Sequence, residues 1–195
     1  MRRPVEGEVH VSYGQLYVTD DSGEQPGLHE SFAGQVSGLC GAAVPGFLWL
    51  VTGLHTGRVG FTVEVHDEAP EVDPRWEDIV EASYRPASAG AALDLWGGGG
   101  SWRLGLAETD YRVRYSAEGM DRAHDLDTRV DEEVVDVYLL QFWPSPPEPD
   151  RVVRQTSRQA AYWHGFAREL TPPPSPPPSP PPAPPRIAAP EEGRP

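Results

Sequence analysis

The sequence predicts an all-β chain, an antiparallel β-sandwich of about eight short strands followed by a C-terminal helix and a proline-rich tail. Three observations carry that prediction. Apolar and polar residues alternate over short runs, the period of a strand with one buried face. Clusters of Gly, Pro and Asp separate the runs. Long amphipathic helices do not alternate with the runs, as a parallel α/β sheet would require.

The elements follow in order. Val9, Val11 and Tyr13 alternate with His10 and Ser12, and the run continues through Leu16, Tyr17 and Val18. Phe47-Leu48-Trp49-Leu50-Val51 is continuously apolar, as in a strand buried on both faces. After a turn at Gly53-Leu54-His55-Thr56-Gly57, Val59, Phe61, Val63 and Val65 alternate with polar residues, predicting a half-buried strand that pairs back on the previous one. Asp67 to Pro74, acidic and with two prolines, reads as a loop. Trp76 to Tyr84 fits a strand better than a helix because Pro86 follows closely. Ala92 to Trp96 and Ser101 to Leu106 flank Gly97-Gly98-Gly99-Gly100, a hairpin connection. Tyr111, Val113 and Tyr115 alternate with Arg112 and Arg114, giving another half-buried strand, and Val134 to Trp143 is the last. Arg151 to Arg168 reads as the one helix. The predicted organisation is a sandwich over 5–143, a linker and helix over 144–171, and a disordered tail over 172–195.

Composition narrows the function classes. The chain has 195 residues, with 16 Arg, no Lys and 30 Asp plus Glu, for a formal net charge of -14. Direct nucleic-acid binding needs clustered cations and is not expected. The only cysteine, Cys40, lies in a Gly/Ala-rich stretch and reads as a buried small hydrophobe, so no intramolecular disulfide is expected. Met1-Arg2-Arg3-Pro4-Val5-Glu6 has no apolar run after its arginines, which predicts no export signal and a cytoplasmic protein. No apolar stretch is long enough for a membrane span. Of the 23 prolines, 13 follow Thr171. Proline lacks an N–H and has a fixed φ, so that segment predicts an extended polyproline II rod, a spacer or a ligand for an aromatic groove.

No local pattern announces chemistry. His10, His29, His55, His66, His124 and His164 are too scattered for a metal-ligand motif. There is no Gly-x-Ser-x-Gly elbow, and Gly97–Gly100 lacks the Lys-Ser/Thr of a phosphate loop. No cofactor is expected. Six tryptophans, Trp49, Trp76, Trp96, Trp102, Trp143 and Trp163, are expected mostly in the core. The most charged segment, Met120 to Asp136, holds Asp121, Asp125, Asp127, Asp131, Glu132 and Glu133. It reads as an acidic loop that presents a binding surface. Asp125-x-Asp127 with Asp131 has oxygen ligands for calcium, but Val130 stands where an EF-hand needs Gly.

Glu8-Val9-His10-Val11-Ser12-Tyr13-Gly14-Gln15-Leu16-Tyr17-Val18 resembles the opening of the competence protein J family, small inhibitors of a DNA-entry nuclease. Asp110-Tyr111-Arg112-Val113-Arg114-Tyr115 is similar to a late strand of that family, and Glu132-Glu133-Val134-Val135-Asp136-Val137-Tyr138 to its last. The resemblance runs from about Glu8 to Trp143; the segment after Pro149 and the tail are additions. It implies a compact β-sandwich that acts by binding a protein, and carries no site residue over. Charge and resemblance together predict a non-enzymatic module for a basic, nuclease-like or toxin-like protein partner, docked on the acidic residues above. The rival expectations are a sandwich that binds sugar or calcium, and an enzyme of unrecognised class.

Overall fold

The computed structural model describes residues 1–20, 25–130 and 133–172. The elements are β1 (Arg2–Ser12), β2 (Gln15–Thr19), α1 (Leu28–Phe32), β3 (Cys40–Gly41), β4 (Leu48–Val51), β5 (Thr56–Val65), β6 (Asp78–Tyr84), β7 (Ala92–Leu95), β8 (Ser101–Arg103), β9 (Tyr111–Glu118), α2 (Met120–Leu126), β10 (Val137–Pro144), β11 (Arg151–Arg154) and α3 (Arg158–Glu169). The predicted tail lies, from residue 173 on, outside the described residues. Among the described residues no helix is long and apolar enough to cross a membrane.

The β-rich expectation holds, but the antiparallel sandwich is corrected. The strands form one hydrogen-bonded sheet in the order β11-β6-β9-β10-β5-β1-β2-β4-β3, with β7 beside β2 and β8 beside β7. It is a curled, mixed half-barrel, because β10 runs parallel to β5 while antiparallel to β9. Alternation in a sequence reports which face is buried and is silent on strand direction. The β5 pairing is corrected too: β5 lies between β1 and β10, away from β4. The sheet turns at the β1–β2 hairpin, where β2 meets β1 at Ser12↔Gln15 and then runs between β4 and β7. The two wings meet across one core. Tyr115 Oη of β9 donates to the Val51 carbonyl of β4 at 3.0 Å, and the Gly53 N–H donates to Tyr138 Oη of β10 at 2.6 Å. Cys40 is buried in that core, and burial pushes its thiol up to about 12.

The predicted helix over Arg151 to Arg168 is corrected as well. Residues 151–154 pair with β6 as an edge strand, and the helix starts at Arg158. Its first amides are all met by named acceptors. The Arg158 and Gln159 N–H groups donate to Asp121, Ala160 N–H to the Ser157 hydroxyl, and Ala161 N–H to the Ser157 carbonyl. Just upstream, Thr156 and Ser157 donate to Asp78. Ala160 and Ala167 enter the core.

β9 is not half-buried: Arg112 and Arg114 are buried, like Val113 between them and the tyrosines on either side. Both donate to Glu81 of β6, which is 1% exposed, at 3.2 and 3.0 Å. Arg151 of β11 reaches the same carboxylate at 2.7 Å. Burial works against ionised Glu81, but the three guanidiniums hold its pKa below the usual carboxylate range. Glu81→Gln leaves two buried guanidiniums without a counter-charge, and chemical denaturation is expected to show a loss of about 3–5 kcal/mol.

His164 of α3 is fully buried. Its Nδ1 accepts the Gly38 N–H at 2.9 Å, and its Nε2 has no hydrogen-bond partner among the described residues. Burial first, and Arg168 second, push its pKa down to about 4, against the pull of Asp78 and Asp150. The unfolded chain therefore takes up a proton on this residue from about pH 6.5 downward while the folded chain does not until about pH 4. Stability conferred by neutral His164 is full above pH 6.5 and falls through that window by about 3 kcal/mol. Asp136, raised by burial, acts in the opposite sense. In His164→Asn the Oδ1 still accepts from Gly38 but does not titrate. Thermal melts across pH 4–6.5 should show a shallower fall for this variant than for wild type.

Candidate functional site

The outer face of the long wing carries two adjoining grooves. The first, of about 720 Å³, lies over β1, β5 and β10, and the Asp73–Trp76 loop closes one side. Strand alternation sets its floor. Val9, Phe61, Val63 and Tyr138 point into the core, so Glu8, Thr62, Glu64 and Leu139 point out. Glu6, Glu8, Glu64 and Asp73 line it, against Arg3 and Arg75. The second groove, of about 550 Å³, lies where β9 gives way to α2, beside the start of α3. Glu77, Glu118 and Asp121 line it, against Arg122. Val134 and Val137 border both, so the two form one acidic face.

The carboxylates differ in how far they are engaged within the fold. Glu64 is tied down by three donors: Arg3 at 2.9 Å, His66 at 2.9 Å and Gln141 at 2.8 Å. Burial opposes its ionisation, yet those donors hold its pKa below the usual range. It is an anchor for the groove floor, with little basicity for proton transfer. Glu77 accepts the Gly119 N–H at 2.9 Å. That glycine turns the chain from β9 into α2 with φ 84°, and a Cβ there would collide with the Val135 carbonyl. Glu6 and Glu8 reach only partly exposed arginines, at 3.3 and 3.5 Å, and keep much of their own surface in water.

The sequence-predicted acidic residues separate in the structure. Residues 120–126 are helix α2, where the sequence pointed to loop. Asp121 accepts from the Arg158 and Gln159 backbone at the start of α3 and from the Arg158 side chain. Those donors outweigh burial and lower its pKa. Asp125 meets the same guanidinium at 3.4 Å. Asp127 ends α2 and takes the Thr128 hydroxyl at 3.1 Å. Glu133 is exposed, one residue before the ridge at Val134. Asp131 and Glu132 lie outside the described residues. Among the described residues no group of three or more His, Cys, Asp or Glu side chains is placed to hold a metal ion.

Glu6, Glu8, Glu77 and Glu118 escaped the sequence reading. The signal was present for the first two. Val5, Val9 and Val11 face the core, which sends Glu6, Glu8 and His10 to the other face of the same strand. The tryptophans divide: Trp49, Trp76 and Trp143 are buried, whereas Trp96 is 44% exposed.

No family model and no curated protein matches the sequence. Two solved structures are similar to it. One is ComJ, the inhibitor of the DNA-degrading activity of NucA, from Bacillus subtilis. It is 14% identical with a TM-score of 0.48, and the match covers 74% of this chain and 96% of that one. The other, described as crocagin biosynthetic gene J, is 14% identical with a TM-score of 0.47, covering 75% of this chain and 100% of that one.

Asp121→Ala removes the acceptor for two helix-start amides, and urea unfolding should show a loss of about 1–2 kcal/mol. Glu133→Arg, on an exposed residue, should stay within about 0.5 kcal/mol of wild type.

Proposed function

We propose that this protein is a non-enzymatic acidic binding module that docks a basic protein on the outer face of its long wing. The observation that carries the reading is the pair of adjoining grooves, in each of which, among the described residues, carboxylates outnumber arginines. A net charge of -14 steers a basic partner toward the molecule, and the grooves give it a place and an orientation. In this reading Glu6, Glu8, Glu118 and Glu133 form the contact, with Asp125 extending it; Asp131 and Glu132, as read from the sequence, add to the acidic charge. Asp121 contributes mainly by seating α3. The sharper form, inhibition of a nuclease or toxin-like partner, follows the sequence resemblance at Glu8 to Val18 and dictates the assay.

The test compares the wild-type chain with a Glu6→Arg, Glu8→Arg, Glu118→Arg, Glu133→Arg variant as bait in the same native lysate. Wild type is expected to retain a basic protein in stoichiometric amount that elutes at moderate salt, and the variant is expected to lose it. Surface plasmon resonance on that protein should show association at least about tenfold slower for the variant, with a flatter salt dependence. If its DNA degradation is blocked by wild type and not by the variant, the inhibitor form stands. Equal capture by both baits, or an unchanged salt slope, overturns the acidic-face mechanism.

A further inference from the structure

Away from the acidic face, a cleft of about 330 Å³ opens between the β1–β2 turn, the β4–β5 loop, α2 and α3. Its size is within the ~300–1,000 Å³ of small-ligand sites. Tyr13, Tyr162 and Trp163 give it aromatic walls; among the described residues Asp127 is its one carboxylate and no arginine lines it. Tyr13 is 58% exposed and Tyr162 64%, a large apolar area to leave in water. Trp96 packs against Tyr13 with ring centroids 4.7 Å apart, extending the aromatic patch.

Backbone strain marks the same place. Among the described residues Tyr13 and Asp127 are the two non-glycine residues with positive φ, and both line this cleft. Tyr13 and Gly14, at φ 60° and 64°, form the two-residue loop between the paired Ser12 and Gln15. Such loops favour Asn-Gly, since a bulky side chain at the first position is strained. Asp127, at φ 64° and ψ −62°, has the strained γ-turn form, closed by Thr128 N–H on the Leu126 carbonyl at 2.8 Å. Two backbone amides, of His55 and Thr56, hold its carbonyl at 3.0 and 3.1 Å. The strain at Tyr13 gains no burial in return, so a binding role is its natural counterpart.

We propose that this cleft is a binding site for a guanidinium group, an arginine side chain presented by the basic partner, with the aromatic rings against its flat faces and the Asp127 carboxylate as its counter-charge. The identification of the arginine as a partner's rests on the binding reading above; the guanidinium site itself does not.

The test is a nitrogen-15 NMR titration of the full chain with N-acetyl-arginine amide, and with the neutral isostere N-acetyl-citrulline amide. The arginine derivative is expected to give saturable shifts at Gly14, Gly53, His55 and Asp127, and the citrulline derivative none. Asp127→Asn, which tolerates the same φ, should weaken binding about fivefold or more. Tyr13→Asn should do the same while raising the melting temperature, because it relieves the turn. The groove variant Glu6→Arg, Glu8→Arg, Glu118→Arg, Glu133→Arg should bind the arginine derivative as wild type does, so loss of partner capture at the grooves and loss of this site are separate results. Equal binding of citrulline, shifts confined to the acidic grooves, saturation by a neutral sugar instead, or no effect of either cleft substitution overturns the proposal. A lowered melting temperature in Tyr13→Asn overturns the strain argument on which it stands.

Discussion

The Glu81 carboxylate is the interaction on which the outer face depends. Two strands send three guanidiniums to it: β9 sends Arg112 and Arg114, and β11 sends Arg151. The arginines then reach beyond it. Arg112 donates to the carbonyls of Glu148 and Pro149, and Arg114 to those of Pro70 and Glu71. Arg114 also lies over the Trp143 ring at 5.0 Å. One buried charge thus fixes two loops over the sheet, and one of these loops runs on into the wall of the first groove. A buried ion cluster is a poor source of net stability, because desolvation offsets most of its Coulombic gain. Its contribution here is positional: a planar donor fork leaves few ways to lay those loops down.

The acidic segment shows why charge density alone does not locate a binding surface. Asp121 and Asp125 stand one turn apart on α2, and both face Arg158. A carboxylate at the start of α3 satisfies backbone N–H groups and complements the helix dipole, so it is engaged before any partner arrives. Glu6, Glu8 and Glu118, scattered through the sequence, keep more of their field for the solvent. The acidic face therefore comes from strand pairing: β5 lies next to β1 and β10, and that adjacency brings residues 6–8 beside 60–64 and 137–141.

Alternation made β5 legible, because burial of one face leaves that mark whatever the neighbours are, and a continuous apolar run did the same for β4; β6, β7 and β9 were also legible near their observed limits. Pairing was not legible. β5 follows β4 by a short turn, yet the 52–55 segment runs beneath the β1–β2 hairpin, with Thr52 N–H on the Gly14 carbonyl, and delivers β5 to β1 instead. Arg112 and Arg114 were read as solvent-facing because arginine usually is. Loops that the sequence left structureless cover them, and only Glu81 makes that burial tolerable. α1 and α2, of five and seven residues, are too short for a helical period to register. In Arg151-Val152-Val153-Arg154 the adjacent β-branched pair favoured a strand, but contact with the helical pattern that follows hid it. The cleft at Tyr13 had one sequence mark, a tyrosine before glycine between two apolar runs, where Asn-Gly would be the ordinary turn.

The chain's use of arginine ties these features together. With no lysine, every cationic side chain is a fork of donors, and many of the forks point inward. Arg2 donates to the carbonyls of Leu104 and Gly105, Arg154 to those of Pro74 and Trp76, and Arg129 to that of Arg58. With Arg112 and Arg114, these clamp backbone carbonyls, most of them in loops, a task an ammonium on a flexible stem performs less well. The cost is a surface depleted of positive charge. The acidic face is thus a by-product of how the loops are held, as well as of the acid count. Arginines anchored to backbone carbonyls have little freedom to swing out over the grooves, so the arginines that do reach the groove carboxylates, Arg3 on Glu6 and Glu64, Arg75 on Asp73 and Arg129 on Glu8, screen them only in part. That links the buried clamps to the exposed charge, and makes the rigidity of the outer loops and the acidity of the face two consequences of one choice of residue.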